Sequence, residues 1–244
     1  MNGPFGVQLY CFRSSFSQGM ESIFGRIADI GFDSVEMCGP EELKSEECKA
    51  LCANSLRIEG WHCGIDGFLN NYDKTAGFHK SIGNADIVIP WADLSDKNKL
   101  CDLIGDINAI APRLKKDGFY LSYHNHSHEF EKFSDKYIID ILADECKDLY
   151  FEPDVYWIKN AGCDPVEFIE KYSDRIRIVH LKNGHGGDKF DSLDNGIADI
   201  ESVIKAALNS GINRFVVEND SPNPDPETNF KRSLEFLKNL NIER

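Results

Sequence analysis

Short runs of apolar and β-branched residues alternate along the chain with longer segments whose apolar residues recur at helical spacing. Each short run has the length of a buried strand. The runs lie at residues 6–10, 32–37, 56–61, 85–90, 119–123, 149–152, 176–180 and 214–218. They recur about every 30 residues, which is the length of a unit made of one strand and one helix.

Three of the intervening segments show the helical pattern most clearly, at residues 20–30, 95–116 and 200–208. A glycine follows each of them directly or within three residues, and the next apolar run begins after it. These glycines are Gly31, Gly118 and Gly211. Glycine after an amphipathic segment marks the end of a helix. The recurrence of helix, glycine and strand indicates that one supersecondary unit is used many times.

Eight such units predict a (β/α)₈ TIM barrel of class α/β, and we expect a single domain over residues 1–244. The alternative is a doubly wound open sheet. That fold favours a glycine-rich phosphate-binding turn after its first strand, whereas residues 10–14 read Tyr-Cys-Phe-Arg-Ser. No composition change or low-complexity tract divides the chain, so the barrel is the better interpretation.

Charge and composition narrow the classes of partner. The chain has 27 Lys and Arg against 41 Asp and Glu, a net charge of −14, which opposes nucleic acid and anionic membrane surfaces. Mean hydropathy is −0.38 and no apolar stretch approaches the ~20 residues of a membrane span. Residues 1–5 do not resemble a secretory signal, and the 8 cysteines form no C-x-x-C pair. We therefore expect a cytoplasmic protein with reduced thiols.

Polar residues at the ends of the later strands indicate a metal site, because a barrel carries its reactive groups at the carboxyl ends of its strands. Glu129, Asp154, His180 and Glu218 follow or end the fifth to eighth predicted strands. Three neighbouring carboxylates would repel one another, and a divalent cation would neutralise them. Three oxygens and one nitrogen favour Mn²⁺, with Mg²⁺, Co²⁺ and Zn²⁺ as alternatives.

Several motifs occur in the order found in one known superfamily. They are residues 6–10, 31–36, 154–157, 161–165, 175–182, 196–199 and 217–220, together with Tyr123-His124-Asn125-His126 followed by Glu129. With these motifs the chain resembles the sugar phosphate isomerase/epimerase superfamily, the xylose-isomerase-like barrels. The resemblance implies one divalent metal held by the same four residues, with Glu129 and Glu218 as the proton-transfer pair. Pro153 and Asn183 depart from the superfamily pattern.

Three histidines are further catalytic candidates. His124 and His126 are interpreted as pocket residues or as donors that orient the metal ligands, against a packing role. His62 resembles the superfamily's substrate-binding histidine, and any of the three could replace a glutamate as base. An H-x-H motif also occurs in binuclear amidohydrolases, but there it lies on the first strand rather than the fifth.

Five residues are candidates for substrate binding: Lys182, Glu36, Trp157, Trp61 and Tyr10. Lys182 lies two residues after His180 and could reach a sugar oxygen, although a solvated lysine at the rim is the alternative. Glu36 matches a glutamate of the superfamily that contacts hydroxyl groups. The aromatic residues would form apolar walls for a sugar ring, and for Trp157 a core position is the alternative.

The sequence therefore predicts a metal-dependent isomerase or epimerase that acts on a small sugar through proton abstraction and a metal-stabilised enediolate. One alternative is a lyase or hydrolase subunit that cleaves keto-sugars or 3-keto-glycosides by β-elimination. Another is a non-catalytic sugar-binding barrel. A homo-oligomer, or a hetero-oligomer with a second subunit, is left open. A DNA-repair nuclease of the same barrel type is opposed by the charge of −14.

Overall fold

The computed structural model describes residues 5–240 and shows eight parallel strands arranged as a nearly closed barrel. The strands are β1 (Phe5–Gln8), β2 (Ser34–Cys38), β3 (Arg57–His62), β4 (Asp86–Ile89), β5 (Tyr120–His124), β6 (Leu149–Glu152), β7 (Val179–Leu181) and β8 (Phe215–Val217). Their order around the sheet is β6-β5-β4-β3-β2-β1-β8-β7. Single parallel bridges, Phe151 with Ile176 and Asp154 with His180, link β6 towards β7 and complete the ring. The TIM barrel prediction is confirmed.

Helices cover the outside of the barrel. They are α1 (Met20–Ile30), α2 (Ser45–Ala53), α3 (Asp66–Ser81), α4 (Lys97–Lys116), α5 (Ile138–Glu145), α6 (Val155–Asn160), α7 (Pro165–Lys171), α8 (Ile200–Asn209) and α9 (Pro226–Asn239). Short 3₁₀ helices lie at Leu9–Gln18, His128–Phe130 and Ser173–Arg175, and two-stranded hairpins pair Lys132–Phe133 with Lys136–Tyr137 and Asn183–Gly184 with Phe190–Asp191. No helix of the described residues is both long and apolar enough to cross a membrane.

The local sequence explains where the main helices begin and end. The apolar side of α1, with Ile23, Phe24 and Ile27, is fully buried against the barrel. Gly31 ends this helix at φ +108°, a left-handed conformation that favours glycine. At the N-terminus of α6, the Asp154 side chain accepts the backbone N–H groups of Tyr156 and Trp157. Similar caps begin α4, α8 and α9.

Two partly exposed arginines pair with two buried carboxylates at the end of the barrel opposite the strands' carboxyl ends. Arg214 Nε lies 2.6 Å from Glu59 Oε1, and its Nη1 lies 2.8 Å from Asp86 Oδ2. Arg177 Nε contacts the other oxygen of Asp86 at 3.0 Å. These ion pairs form the floor of the barrel, and the cavity described below opens at the carboxyl ends of the strands.

The sixth predicted strand matches the structure at both ends, and the other seven differ from it by one to three residues at their limits. The first predicted strand includes Tyr10, but β1 ends at Gln8, whose side-chain oxygen accepts the Tyr10 N–H and starts a 3₁₀ helix. The seventh is predicted at residues 176–180, but β7 spans Val179–Leu181. The single domain predicted for residues 1–244 stays a prediction, because residues 1–4 and 241–244 lie outside the described residues.

Candidate active site

Four side chains from consecutive strands meet at the carboxyl end of the barrel. His124 ends β5, Asp154 follows β6, His180 lies in β7 and Glu218 follows β8. All four are buried, with exposures of 2%, 0%, 0% and 6%. The parallel bridge between Asp154 and His180, and the bond from Glu218 N–H to Leu181 O, fix them at one level. One nitrogen or oxygen of each therefore lies within 4.8 Å of the others.

The spacing of these atoms suits a metal ion. His124 Nε2 lies 3.3 Å from Glu218 Oε2 and 3.7 Å from Asp154 Oδ2, and His180 Nδ1 lies 2.8 Å from Glu218 Oε2. Bonds of 2.0–2.2 Å in a tetrahedral site would place neighbouring ligand atoms about 3.4 Å apart. The spacing of these atoms is therefore close to the spacing that a divalent cation requires. His180 Nδ1 and Glu218 Oε2, which are 2.8 Å apart, would have to separate slightly.

Two of the ligand atoms make no hydrogen bond in the described part of the chain. Neither ring nitrogen of His124 nor Oδ2 of Asp154 makes a hydrogen bond. Oδ1 of the same aspartate accepts the N–H groups of Tyr156 and Trp157 at 3.0 and 3.1 Å, which directs Oδ2 towards His124. Buried polar atoms left without partners are costly. The residues present therefore fit a divalent metal ion.

A second group of titratable side chains, the lower group, adjoins the four proposed metal ligands, the upper group, and shares His180 with them. It consists of Glu36, His62, Glu152 and His180. His62 Nε2 lies 2.7 Å from Glu152 Oε2 and 3.1 Å from Glu36 Oε2, while His180 Nε2 lies 2.6 Å from Glu36 Oε2. The Gln8 amide also donates to Glu36 at 2.7 Å. All of these contacts have hydrogen-bond distances, whereas among the four proposed metal ligands only His180 and Glu218 are that close, so we assign to this group the role of orienting the histidines.

Charge in this lower group is balanced between imidazole and carboxylate. Burial lowers the pKa of His62, but Glu36 and Glu152 outweigh it and raise the pKa to about 10. The pKa of Glu36 is held well below its ordinary value, because His62 and His180 outweigh its burial. For Glu152, burial and the neighbouring Glu36 raise the pKa above the ordinary value. The group holds His62 as a cation between two carboxylates.

Lys182 is fully buried beside the upper group, whereas the sequence predicts that it binds the sugar substrate. Its ammonium bonds to Asp220 and lies 3.6 Å from Asp154 Oδ2 and 3.8 Å from Glu218 Oε2. Burial lowers its pKa, but these three carboxylates raise it above the ordinary value. Lys182 in turn opposes the effect of burial on Glu218, whose pKa is held well below its usual range. The lysine thus keeps Glu218 ionised.

Glu129, predicted as a metal ligand and base, lies apart from both described groups. Its carboxylate accepts the Tyr123 hydroxyl at 2.7 Å and the His126 N–H at 2.8 Å, and His128 Nε2 lies 3.2 Å away. Burial raises its pKa. The segment after β5 forms the 3₁₀ helix His128–Phe130, and this turn directs the Glu129 side chain towards Tyr123 and the His126 N–H. The structure brings His124 to the other three predicted ligands instead.

One cavity of about 880 Å³ opens above these groups. Its polar end is formed by His62, His124, His126, Glu218 and Asp220. Of the remaining predicted substrate-binding residues, Trp61 and Tyr10 line the cavity, whereas Glu36, Trp157 and Lys182 do not. Trp157 packs instead beside His126 and over the Lys182 ammonium. Burial and His124 lower the pKa of His126 to about 3, so its imidazole is neutral.

Sequence reasoning missed three supporting residues. Asn125 Oδ1 accepts the Asp154 N–H at 3.1 Å, Glu152 bonds to His62, and Asp220 bonds to Lys182. Glu152 and Asp220 each lie two residues from a predicted ligand, and a two-residue spacing along an extended segment places side chains on the same side. That spacing was the available signal. A further group, Glu41, Cys63 and His79, lies outside the two groups above.

Comparisons with known proteins agree with the barrel fold. The profile of the xylose isomerase-like TIM barrel family matches residues 24–240. No curated protein sequence matches the chain. A sugar phosphate isomerase/epimerase from Parabacteroides distasonis superimposes with a TM-score of 0.81 at 21% identity, covering 98% of this chain and 94% of that one.

Two other solved structures are also similar. L-ribulose 3-epimerase has a TM-score of 0.74 at 13% identity, with 97% of this chain and 95% of that chain covered. A xylose isomerase-like TIM barrel protein from Mycobacterium smegmatis, in complex with magnesium, has a TM-score of 0.69 at 13% identity, again over 97% and 95%. At such identities the structural likeness establishes the barrel fold.

Proposed function

We propose that this chain, which belongs to the xylose isomerase-like TIM barrel family, is a divalent-metal-dependent enzyme of the sugar isomerase or epimerase type. One observation carries the proposal. His124 Nε2 and Asp154 Oδ2, which make no hydrogen bond among the described residues, face Glu218 and His180 at the polar end of a cavity that is open to a small molecule. Family membership and the epimerases among its structural neighbours support the same reaction class.

His124, Asp154, His180 and Glu218 would hold the metal. A ligand set of two imidazoles and two carboxylates suits Mn²⁺, Co²⁺ or Zn²⁺ better than an all-oxygen ligand set does. Of these ions we propose Mn²⁺. When bound, the cation supplies a Lewis acid that makes the C–H bond beside a sugar carbonyl more acidic. Four buried carboxylates, those of Glu36, Glu152, Asp154 and Glu218, outnumber the Lys182 ammonium and the His62 cation beside them, so a further positive charge is electrostatically favourable.

Glu218 is the proposed base. It lines the cavity, and the ammonium of Lys182 3.8 Å away keeps its carboxylate ionised. Its oxygen takes the proton from the C–H bond, the electron pair of that bond moves towards the carbonyl, and an enediolate results. Return of the proton from Glu218 to the neighbouring carbon gives isomerisation, whereas delivery of a proton by a second acid on the opposite face of the same carbon gives epimerisation.

Two histidines bind the sugar at the same end of the cavity. His62 is held as a cation by Glu36 and Glu152 and donates a hydrogen bond to a substrate oxygen. His126 is neutral, and its Nδ1 has no partner among residues 5–240, so it accepts a hydrogen bond from a hydroxyl group. A cation and a neutral acceptor on one wall fix the orientation of a polyhydroxylated ligand.

The same proton removal ends in elimination when a leaving group lies β to the carbanion. The size of the cavity favours this second candidate function, because about 880 Å³ holds more than one sugar ring. Product analysis separates the outcomes: an isomerase conserves the mass of its substrate, whereas a lyase releases two products or water.

Solvent deuterium exchange tests the proposal. Purified protein with Mn²⁺ is incubated in D₂O with ketoses, inososes and 3-keto-glycosides, and deuterium at carbon is followed by NMR. Wild type should introduce deuterium beside the carbonyl of at least one of these sugars, and Glu218→Gln should abolish the exchange. Glu235→Gln, which changes an exposed carboxylate on α9, is the control and should exchange normally. Absence of exchange with every sugar and metal would refute the proposal.

A further inference from the structure

We propose that the apolar part of the cavity binds an apolar, preferably aromatic, substituent carried by the sugar substrate. This part, the apolar arm, is walled by Leu9, Phe16, Met20, Met37, Pro40 and Leu43. It is continuous with the polar end formed by His62, His124, His126 and Glu218. The proposal rests on the proposed function, because it adds a second half to the substrate of the same site.

The cavity has two ends of different chemistry. A sugar ring carries a hydroxyl group on nearly every carbon, and each hydroxyl needs a hydrogen-bond partner when it is buried. The polar end offers such partners, whereas the six residues that define the apolar arm offer thioethers, aliphatic carbon and one phenyl ring. Charged lining residues occur next to Pro40 and Leu43 in sequence, at Glu41, Glu42, Lys44 and Glu47. A sugar placed against the six apolar residues would lose hydrogen bonds with water and gain none from them, so a monosaccharide is better placed at the polar end.

The walls of the arm suit a flat apolar group. Met37 and Leu9 are 3% and 1% exposed and form its inner wall, beside Glu36 and Gln8 of the barrel interior. Met20 and Phe16 come from α1 and the 3₁₀ helix before it and are half-buried. Methionine side chains adapt in shape and make favourable sulfur contacts with aromatic rings. Two of them in one wall are well matched to an aromatic substituent.

Exposed aromatic residues continue the apolar surface at the mouth of the cavity. Tyr10 is 45% exposed and Trp91 is 58% exposed, and both line the cavity. The other two large apolar residues exposed to this degree in residues 5–240, Leu69 and Ile197, do not line it. A second protein chain could cover Tyr10 and Trp91 from outside, but it would leave the inner wall at Met37 unfilled. A ligand that enters the cavity covers both regions.

Methionine methyl NMR tests the arm without requiring turnover. The chain has 3 methionines, so protein labelled with ¹³C in the methionine methyl groups gives few signals. Single Met20→Leu and Met37→Leu variants assign the two that line the arm. The probes are phenyl β-D-glucopyranoside and methyl β-D-glucopyranoside, added to the Mn²⁺-loaded full chain. The phenyl compound should shift both assigned signals and bind with a Kd at least tenfold lower than the methyl compound.

Two variants strengthen the test. Leu43→Gln places an amide in the arm and should weaken binding of the phenyl glycoside at least tenfold. Leu69→Gln changes an exposed leucine on α3 outside the cavity and should leave this Kd unchanged. Equal affinity of the two glycosides, or phenyl binding that does not shift Met20 and Met37, would overturn the proposal. Shifts that appear on raising protein concentration without ligand would show that a second copy covers the arm, which also overturns it.

The result of the glycoside-binding test can be distinguished from the result of the deuterium-exchange test of the proposed function. Neither glycoside has a free carbonyl, so binding does not depend on proton abstraction. Normal deuterium exchange without any preference for the phenyl compound would retain the enzyme and reject the arm. A clear phenyl preference without exchange on any keto-sugar would retain the arm as a binding site and reject the proposed reaction.

Discussion

The imidazole of His180 lies between two carboxylates, with Nε2 2.6 Å from Glu36 Oε2 and Nδ1 2.8 Å from Glu218 Oε2. Glu36 belongs to the lower group in the barrel and does not line the cavity, whereas Glu218 does. A carboxylate that holds one ring nitrogen fixes the orientation of the ring and leaves the other nitrogen for a metal. Glu36 is therefore a positioning residue for His180 rather than a contact for substrate hydroxyls.

Glu36→Gln should weaken metal binding. The amide cannot reproduce the charge that holds His180, and loss of such a partner costs about 10–100-fold in metal affinity or activity. Isothermal titration of the apo-protein with Mn²⁺ measures this change. Glu42→Gln, which alters an exposed carboxylate on the cavity rim, should bind Mn²⁺ as the wild type does. Unchanged affinity in Glu36→Gln would contradict the positioning role.

His124→Ala and Glu129→Gln distinguish two sets of metal ligands. The sequence predicts Glu129 as the ligand from the fifth strand, whereas the structure places His124 beside Asp154 and Glu218. Metal content after dialysis, measured by plasma mass spectrometry, should fall in His124→Ala and stay near one ion per chain in Glu129→Gln.

Glu129→Gln should instead lower stability. The Tyr123 hydroxyl and the His126 N–H both donate to this carboxylate, and an amide can accept only one of them well. A buried donor left without an acceptor costs about 1–3 kcal/mol. Urea unfolding measures the loss. Metal loss from Glu129→Gln with His124→Ala fully loaded would restore the ligand set predicted from the sequence.

Arg214→Met should destabilise the floor of the barrel by about 3–5 kcal/mol, because Glu59 and Asp86 would remain buried with less compensation. Arg177 still contacts Asp86, which places the loss near the lower end of that range. The matched control is Arg57→Met. Arg57 is 59% exposed and lies 3.8 Å from Glu59, so its loss should stay below about 1 kcal/mol. Equal urea midpoints for the two variants would refute a stabilising floor.

Asp199→Ala should destabilise the protein at neutral pH and have less effect in acid. Asp199 caps α8 by accepting the N–H and hydroxyl of Ser202 at 3.1 and 2.7 Å, and these bonds lower its pKa below the ordinary 3.8. A carboxylate whose pKa is lower in the folded than in the unfolded protein stabilises the fold at pH values above its unfolded pKa. This stabilisation is lost as the pH falls through its folded pKa. Loss of such a cap costs about 1 kcal/mol.

Urea unfolding at pH 7 and at pH values below 3.8 measures the difference between wild type and Asp199→Ala. The difference should shrink in acid. Asp199→Asn keeps a side-chain oxygen at the cap without a titrating group. The difference in unfolding free energy between Asp199→Asn and Asp199→Ala should therefore not depend on pH. A pH-independent gap between wild type and Asp199→Ala would show that the ionised carboxylate contributes nothing.

Much of the barrel could be predicted because its signals are local. The apolar side of α1 and the glycine that ends it are visible in neighbouring residues, and so is the limit of β6 at residues 149–152. Parallel strands bring their carboxyl ends together, so Asp154, His180 and Glu218 could be placed at one level from strand order alone. Periodicity and topology thus located most of the upper group.

The remainder depends on contacts that no local pattern encodes. Glu129 lies near the end of the fifth strand in sequence, but the 3₁₀ turn after β5 directs it to Tyr123. Lys182 follows His180 at a two-residue spacing, yet it is enclosed by Asp220 from another strand end. The destination of a long side chain is decided by partners that are distant in sequence. Its position on a strand therefore predicts its level in the barrel but not its contacts.

Anomalous diffraction from crystals grown with Mn²⁺ tests the central claim most directly. The account predicts one strong manganese peak per chain, in contact with His124 Nε2, Asp154 Oδ2, His180 Nδ1 and Glu218 Oε2. A map without a peak at these atoms, or with the ion bound at Glu129 or at Glu41, Cys63 and His79 instead, would contradict it.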